Sequence, residues 1–201
     1  MSIIAKDRKM YIQGIKKGIE NGFRDEVISR KIYITYPTFA FKDNCEMEFE
    51  LLNSISCEFK IQISSIQVVG SSKTGYSFYK NKSFEPGKSD LDVAIIDPIL
   101  FQRYCEIVMK EANGFTDLSN FKKTSEANDY NSYKNYLAKG IFRPDFMPTC
   151  EAKRRWFNFF NKLSQRYNNL FSDINAGIYF SQVFFEYKQA ESINFYKQAQ
   201  L

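Results

Sequence analysis

With 201 residues, 44% of them hydrophobic and 25% charged, the chain is long enough to bury one substantial core and too apolar to be a disordered tail. Its 28 Lys and Arg against 23 Asp and Glu leave a formal charge of +5, so attraction to nucleic acid or nucleotide phosphates must come from local patches rather than an overall field. The chain has no histidine, which excludes serine-hydrolase triads, His-cluster metallohydrolases and His-based phosphotransfer and leaves the chemistry to carboxylates, lysines and tyrosines.

Cys45, Cys57, Cys105 and Cys150 are far apart and form no Cys-x-x-Cys pair, so they read as reduced, small apolar residues rather than as zinc ligands. No apolar stretch approaches bilayer length, and Met1-Ser2-Ile3-Ile4-Ala5-Lys6-Asp7 lacks the hydrophobic region of a signal peptide. A cytoplasmic protein with no membrane partner is expected.

In chain order, residues 6–24 read as a loosely patterned helix with Met10, Ile12, Ile15 and Ile19 apolar. Residues 31–41, rich in β-branched and aromatic side chains and interrupted by Pro37, read as extended chain or an edge strand. Asn44 is placed to cap a helix over 45–59, with Phe49, Leu52, Ile55 and Phe59 near helical spacing. A strand over 65–69 follows and ends at Gly70-Ser71. Residues 72–79 then begin a short helix whose free N–H groups would face a bound phosphate.

The polar insert 79–88, closed by Pro86-Gly87, predicts a mobile loop. In the strand 89–96 side chains alternate, so Asp90 and Asp92 share one face while Leu91 and Val93 enter the core. Asp97 as cap and Pro98 in the first turn predict a helix with Leu100, Tyr104, Ile107 and Val108 on one face, ending near Asn113-Gly114. Residues 115–136 read as a polar loop, and 140–147 as an edge strand returning to the sheet. Thr149 is expected to cap a helix carrying Trp156, Phe159, Phe160, Leu163 and Tyr167, and a last helix runs over 182–198, so the C-terminal quarter reads as a helical cap.

Two carboxylates side by side on a sheet edge repel unless a cation sits between them, and oxygen ligands of this kind suit Mg²⁺ or Mn²⁺, which complete their shells with waters and substrate phosphates. Gly70 and Gly75 have the glycine spacing of a P-loop, but Tyr76-Ser77 stands where Lys-Ser/Thr must follow.

Gly70-Ser71 after an apolar strand, then Asp90-Leu91-Asp92 between apolar residues, resembles the nucleotidyltransferase superfamily related to DNA polymerase beta, over roughly residues 48–112 in the order and type of elements. The gap from Gly70 to Asp90 is longer than the family's usual one, with residues 79–88 looped out at little cost in free energy. The resemblance implies an α+β fold: a small mixed β-sheet nucleotidyltransferase core with flanking helices over residues 1–147, including an N-terminal extension, and a C-terminal helical region, 148–201, packed on it. It also implies that Gly70 and Ser71 hold nucleotide phosphates, that Asp90 and Asp92 bind two Mg²⁺ (or Mn²⁺) ions, and that a third carboxylate on a neighbouring strand helps activate an attacking hydroxyl.

Lys73, near the turn, reads either as a triphosphate partner or as an exposed helix lysine. For the third carboxylate and metal ligand Asp145 is the leading candidate, on one strand face with Arg143; the alternative is a local pair with Arg143 or a turn set by Pro144. Asp117, Glu126 and Asp129 are weaker candidates. Lys153-Arg154-Arg155 beside Trp156 reads as the solvated face of an amphipathic helix rather than as a polynucleotide patch.

The expected activity is transfer of a nucleoside monophosphate from an NTP such as ATP to an acceptor hydroxyl, with release of pyrophosphate. The acceptor, whether a protein, a tRNA end, a small antibiotic-like molecule or another nucleotide, is left open. The solitary nucleotidyltransferases of toxin–antitoxin and antiviral (antiphage) defence systems are an analogy at the level of fold. The alternative expectation is a non-catalytic module that senses nucleotide or nucleic acid and regulates a protein partner.

Overall fold

Leu91-Asp92-Val93-Ala94-Ile95-Ile96 sets one carboxylate among five apolar residues, and the sheet is assembled around this run. In the computed structural model, which describes residues 3–124 and 128–199, the helices are α1 (Ile3–Glu20), α2 (Asp25–Arg30), α3 (Cys45–Phe59), α4 (Gly70–Thr74), α5 (Pro98–Glu111), α6 (Asp129–Leu137), α7 (Glu151–Arg166) and α8 (Gln182–Gln198). The strands are β1 (Ile66–Val69), β2 (Tyr76–Ser77), β3 (Lys82–Ser83), β4 (Leu91–Ile96), β5 (Ile141–Phe142) and β6 (Ile174–Tyr179). Met1, Ser2 and Glu126, which figure in the sequence reading, lie outside the described residues.

The described strands form a mixed α+β arrangement with a four-stranded sheet in the order β1-β4-β6-β5 and a separate hairpin of β2 and β3. β4 pairs antiparallel with β1, Val69 opposite Asp92, and parallel with β6, Asn175 opposite Asp92. β5 closes the far edge antiparallel to β6. The buried side chains of β4 (Leu91, Val93, Ala94 and Ile95) and of β6 (Ile174, Ala176, Ile178 and Tyr179) form the centre of the core. Phe59 of α3, Tyr104 of α5 and Trp156 of α7 meet in an aromatic cluster, with ring centroids 4.7 Å apart for Phe59–Trp156 and 5.3 Å for Tyr104–Trp156. Arg30 of α2 forks onto the buried Glu186 of α8 at 2.6 and 2.8 Å, which satisfies a carboxylate that burial alone would make costly.

Several expectations agree in place and cause. Asn44 accepts from the Met47 amide and Asp97 from the Leu100 amide, so both cap as read, and the last helix spans the residues expected of it. Others need correction. Residues 31–41 are not extended: Lys31–Thr35 widens into a π-type turn after α2 and Phe39–Phe41 is a 3₁₀ turn, with Ile32, Tyr33, Phe39 and Phe41 buried. Their β-forming composition is overridden by packing. The expected polar loop contains α6, capped by Asn128, whose side chain accepts from the Asn131 amide. α7 starts at Glu151, with Cys150 rather than Thr149 at the cap position and no side-chain cap bond. The C-terminal quarter is not wholly helical either, because β6 is an inner strand of the main sheet.

Two core substitutions separate buried from merely periodic residues. Ile178→Ala, at a fully buried position of β6, should cost about 2–5 kcal/mol in urea unfolding, whereas Phe49→Ala, on the exposed face of α3, should stay within about 0.5 kcal/mol. Equal effects would contradict the assigned core.

Candidate functional site

β1 ends at Val69 directly beside Asp92, and the chain then turns at Gly70, whose φ of +68° is the left-handed geometry glycine adopts without penalty. A Cβ at Gly70 would lie 3.0 Å from Asp92 Oδ2, so the missing side chain leaves the space in front of that carboxylate open. Ser72, fully buried in the turn, donates to the Asp90 carbonyl at 2.6 Å and ties the Gly-Ser segment to the start of β4. Ser172, ahead of β6, donates to Asp90 Oδ1 at 2.7 Å, and the Leu91 amide donates to the Asp173 carbonyl at 2.8 Å. Three segments distant in sequence thereby hold one carboxylate pair at the end of the sheet.

The insert between Gly70 and Asp90 is a hairpin rather than a featureless loop. β2 and β3 pair through Tyr76–Ser83 and Ser77–Lys82, and the hairpin is fastened to α8 by ring contacts, Phe78–Tyr196 at 5.3 Å and Tyr79–Phe195 at 5.0 Å. It brings Lys80 and Lys82 to a hollow of about 160 Å³ that also presents Gly70, Ser71, Lys88, Asp90 and Asp92. Lys88 is paired with Glu85 at 3.0 Å, whereas Lys80 and Lys82 have no ion-pair partner among the described residues. A larger cleft of about 570 Å³ adjoins this hollow at Gly70, Ser77, Lys80 and Asp92, and is walled by Tyr79, Tyr136, Arg143, Asn175 and Phe195.

Asp92 is exposed where the cleft and the hollow meet, with the walls of both around its carboxylate. Loss of surrounding water raises its pKa first and the charge of Asp90 raises it further; Arg143 and Lys80 act in the opposite direction and Asp173 adds a smaller increase. The carboxylate therefore lacks a full counter-charge from the protein.

The structure brings Gly70, Ser71, Asp90 and Asp92 to one place and leaves the other two expected residues elsewhere. Lys73 is buried and its ammonium donates to the Tyr36 carbonyl at 2.7 Å, with burial lowering its pKa to about 8 against the opposing pull of Glu48. It is neither an exposed helix lysine nor a lining residue of the hollow at Gly70, Ser71, Asp90 and Asp92. Asp145 lies in the 3₁₀ turn Pro144–Phe146 rather than on a strand, accepts from Arg143 at 2.9 Å, and lines a small hollow with Asp173, Asn175 and Trp156 instead of the Asp92 cleft. Asp117 caps the Ser119 amide and Asp129 sits 3.9 Å from Lys153, both away from the cleft. Among the described residues no three acidic or cysteine side chains gather as a metal group.

Sequence reading missed β6, and with it Asn175 opposite Asp92 and Asp173 two residues earlier on the same face. It also missed Arg143 as a wall of the cleft. Gly177 was the available signal: a side chain there would crowd the Arg143 stem, Cβ to Cδ 3.3 Å, and glycine inside a strand marks such close approach.

Two measurements follow. Gly70→Ala should lose about 1–2 kcal/mol because alanine resists the left-handed conformation, and should press on Asp92. Asp92→Asn should stabilise the metal-free protein at neutral pH. A carboxylate whose folded pKa is raised favours folding only while protonated, so wild type loses stability as pH rises from its unfolded value through the raised folded one. In thermal melts across pH the two proteins should agree in acid and diverge above the usual carboxylate range; a variant less stable at neutral pH would contradict the assigned electrostatics.

Compared with models of known families, with curated proteins and with solved structures, the chain finds no match.

Proposed function

We propose that the cleft binds a nucleoside triphosphate together with Mg²⁺ or Mn²⁺ and transfers the nucleoside monophosphate to an acceptor hydroxyl, releasing pyrophosphate. The observation that carries this reading is the meeting of opposite charges around the small hollow: the carboxylates of Asp90 and Asp92, the latter with a raised pKa, and the lysines Lys80 and Lys82, which have no ion-pair partner among the described residues. A metal–polyphosphate complex would satisfy both sets of charges, with Asp90 and Asp92 holding the cation and Lys80 and Lys82 holding phosphate oxygens. The order strand, Gly-Ser turn, Asp-x-Asp strand and helix also supports it, being the pattern on which the resemblance to nucleotidyltransferases rests.

The residues present fit one divalent ion held by Asp90 and Asp92, with the open space at Gly70 giving access to Asp92. When bound, the ion supplies positive charge against the polyphosphate and lowers the pKa of a nearby hydroxyl. Lys80 and Lys82 would hold the two outer phosphates, which leave as pyrophosphate when the bond from the α-phosphorus to its bridging oxygen breaks. Tyr79 and Phe195 would border the nucleoside, and Arg143, half-buried beside Asp92, would face the α-phosphate as the acceptor oxygen attacks.

A second reading, nucleotide sensing without turnover, is favoured by one observation: Asn175 and not a carboxylate faces Asp92 across the strand pair. Both readings require the same binding and differ in transfer.

Incubation with each α-³²P-labelled NTP and Mg²⁺ or Mn²⁺ should move label to an acceptor, and Asp90→Asn or Asp92→Asn should lower the rate roughly a hundredfold or more. Lys80→Gln and Lys82→Gln should each raise KM about tenfold with less effect on kcat. Metal-dependent NTP binding with no transfer to any acceptor selects the sensing reading, and absence of metal-dependent binding defeats both. In melts, Mg²⁺ at ten times its dissociation constant should stabilise wild type by about 1.4 kcal/mol and leave the double Asn variant unmoved.

A further inference from the structure

The run Lys153-Arg154-Arg155 divides once folded. The Lys153 ammonium donates to the carbonyls of Asp145 and Met147 at 2.7 and 2.9 Å, and Arg154 pairs with Glu151. Arg155 instead borders a cavity of about 310 Å³ between α3, α5 and α7, which shares no lining residue with the Asp92 cleft or its phosphate hollow. Its inner surface is aromatic and apolar, formed by Phe59, Tyr104, Trp156 and Leu100, and its rim carries Lys60, Arg103 and Arg155 with a single acid, Glu58. We propose that this cavity is a second ligand site, for a small phosphomonoester of about mononucleotide size.

Charge is the first support. Lys60, Arg103 and Arg155 are all exposed and none has an ion-pair partner among the described residues, whereas Arg30, Arg143, Arg154 and Arg166 each pair with a carboxylate. Three like charges around one cavity repel each other, and Glu58 offsets only one of them. A dianionic phosphate between two guanidiniums relieves that repulsion and matches their forked donors.

The second support is Tyr104. Its hydroxyl has no hydrogen-bond partner among the described residues, and it feels the charges of Arg155 and Arg103. Burial pushes its pKa up to about 12, so at neutral pH the phenol keeps its proton and serves as a donor beside the cations. The hydroxyl is not among the buried oxygens cut off from solvent, so it is accessible to donate to an acceptor oxygen of a ligand in the cavity. Size and lining set the rest of the ligand: the volume sits at the small end of ligand sites, and an aromatic wall below a cationic rim suits a planar ring carrying a phosphate. This inference is independent of the reading of the Asp92 cleft.

Trp156 is the only tryptophan of the chain and lines this cavity as well as the small hollow of Asp145, so its fluorescence detects a ligand in either and the rim substitutions assign the signal to this site. The experiment titrates AMP, inorganic phosphate and adenosine into wild type and into the Asp90→Asn/Asp92→Asn protein. AMP should give a saturable change in emission, equal in both proteins, with adenosine binding at least about tenfold more weakly for want of the phosphate. Arg103→Gln and Arg155→Gln should each weaken AMP about tenfold, and Lys60→Gln tests the same rim should either arginine variant fail to fold. No saturable change at millimolar AMP, adenosine binding as well as AMP, or AMP affinity unaltered by the rim substitutions would each overturn the site.

Discussion

Asp90 and Asp92 are two like charges held on one edge of a buried strand, and the architecture around them follows from that constraint. Leu91 lies between them with no exposure, so the strand pleat turns both carboxylates outward as it turns Leu91 inward. A slip of one residue would bury the carboxylates and expose the core side chains, so packing and charge select the same register. Loss of surrounding water first and the charge of Asp90 second keep the pKa of Asp92 raised in the folded protein. Arg143, the cation that acts most on Asp92, is already paired with Asp145, so the protein itself does not complete the neutralisation.

The surrounding elements hold that pair open. Ser72 and Ser172 fix Asp90 from two sides, Gly70 clears the approach to Asp92, and the β2–β3 hairpin brings Lys80 and Lys82 to the same hollow. The hairpin owes its position to aromatic contacts with α8, and α8 is in turn held to α2 by the Arg30–Glu186 fork. Placement of the lysines thus depends on packing far from the carboxylates. The second cavity lies outside this chain of contacts, which is why its rim can be altered without reaching the cleft.

Local chemistry was legible in the sequence wherever it decided the outcome. Asn44 and Asp97 act within three residues of themselves, and Asp90-Leu91-Asp92 announces its faces by alternation alone. Features decided by distant contacts were not legible. β6 has small and polar residues at Asn175, Ala176 and Gly177, and becomes a strand because β4 and β5 bracket it. Residues 31–41 carry strand formers that the core instead uses in helical turns, and Lys73 ends in the interior because the Tyr36 carbonyl waits there. Asp145 was misplaced for a related reason: Pro144 ends the short strand and its neighbour Arg143 binds it. The lysines of the insert were visible, but the cross-strand pairs that aim them were not.

Occupation of the carboxylate pair by a divalent cation jointly with a polyphosphate is most directly tested by electron paramagnetic resonance of Mn²⁺ added to the protein with and without a non-hydrolysable NTP. The signal of free Mn²⁺ should fall when wild-type protein and nucleotide are both present, beyond what the nucleotide alone removes, and this excess should vanish in Asp90→Asn/Asp92→Asn. An excess equally large in that variant, or none in wild type, would contradict a metal–nucleotide site at Asp90 and Asp92.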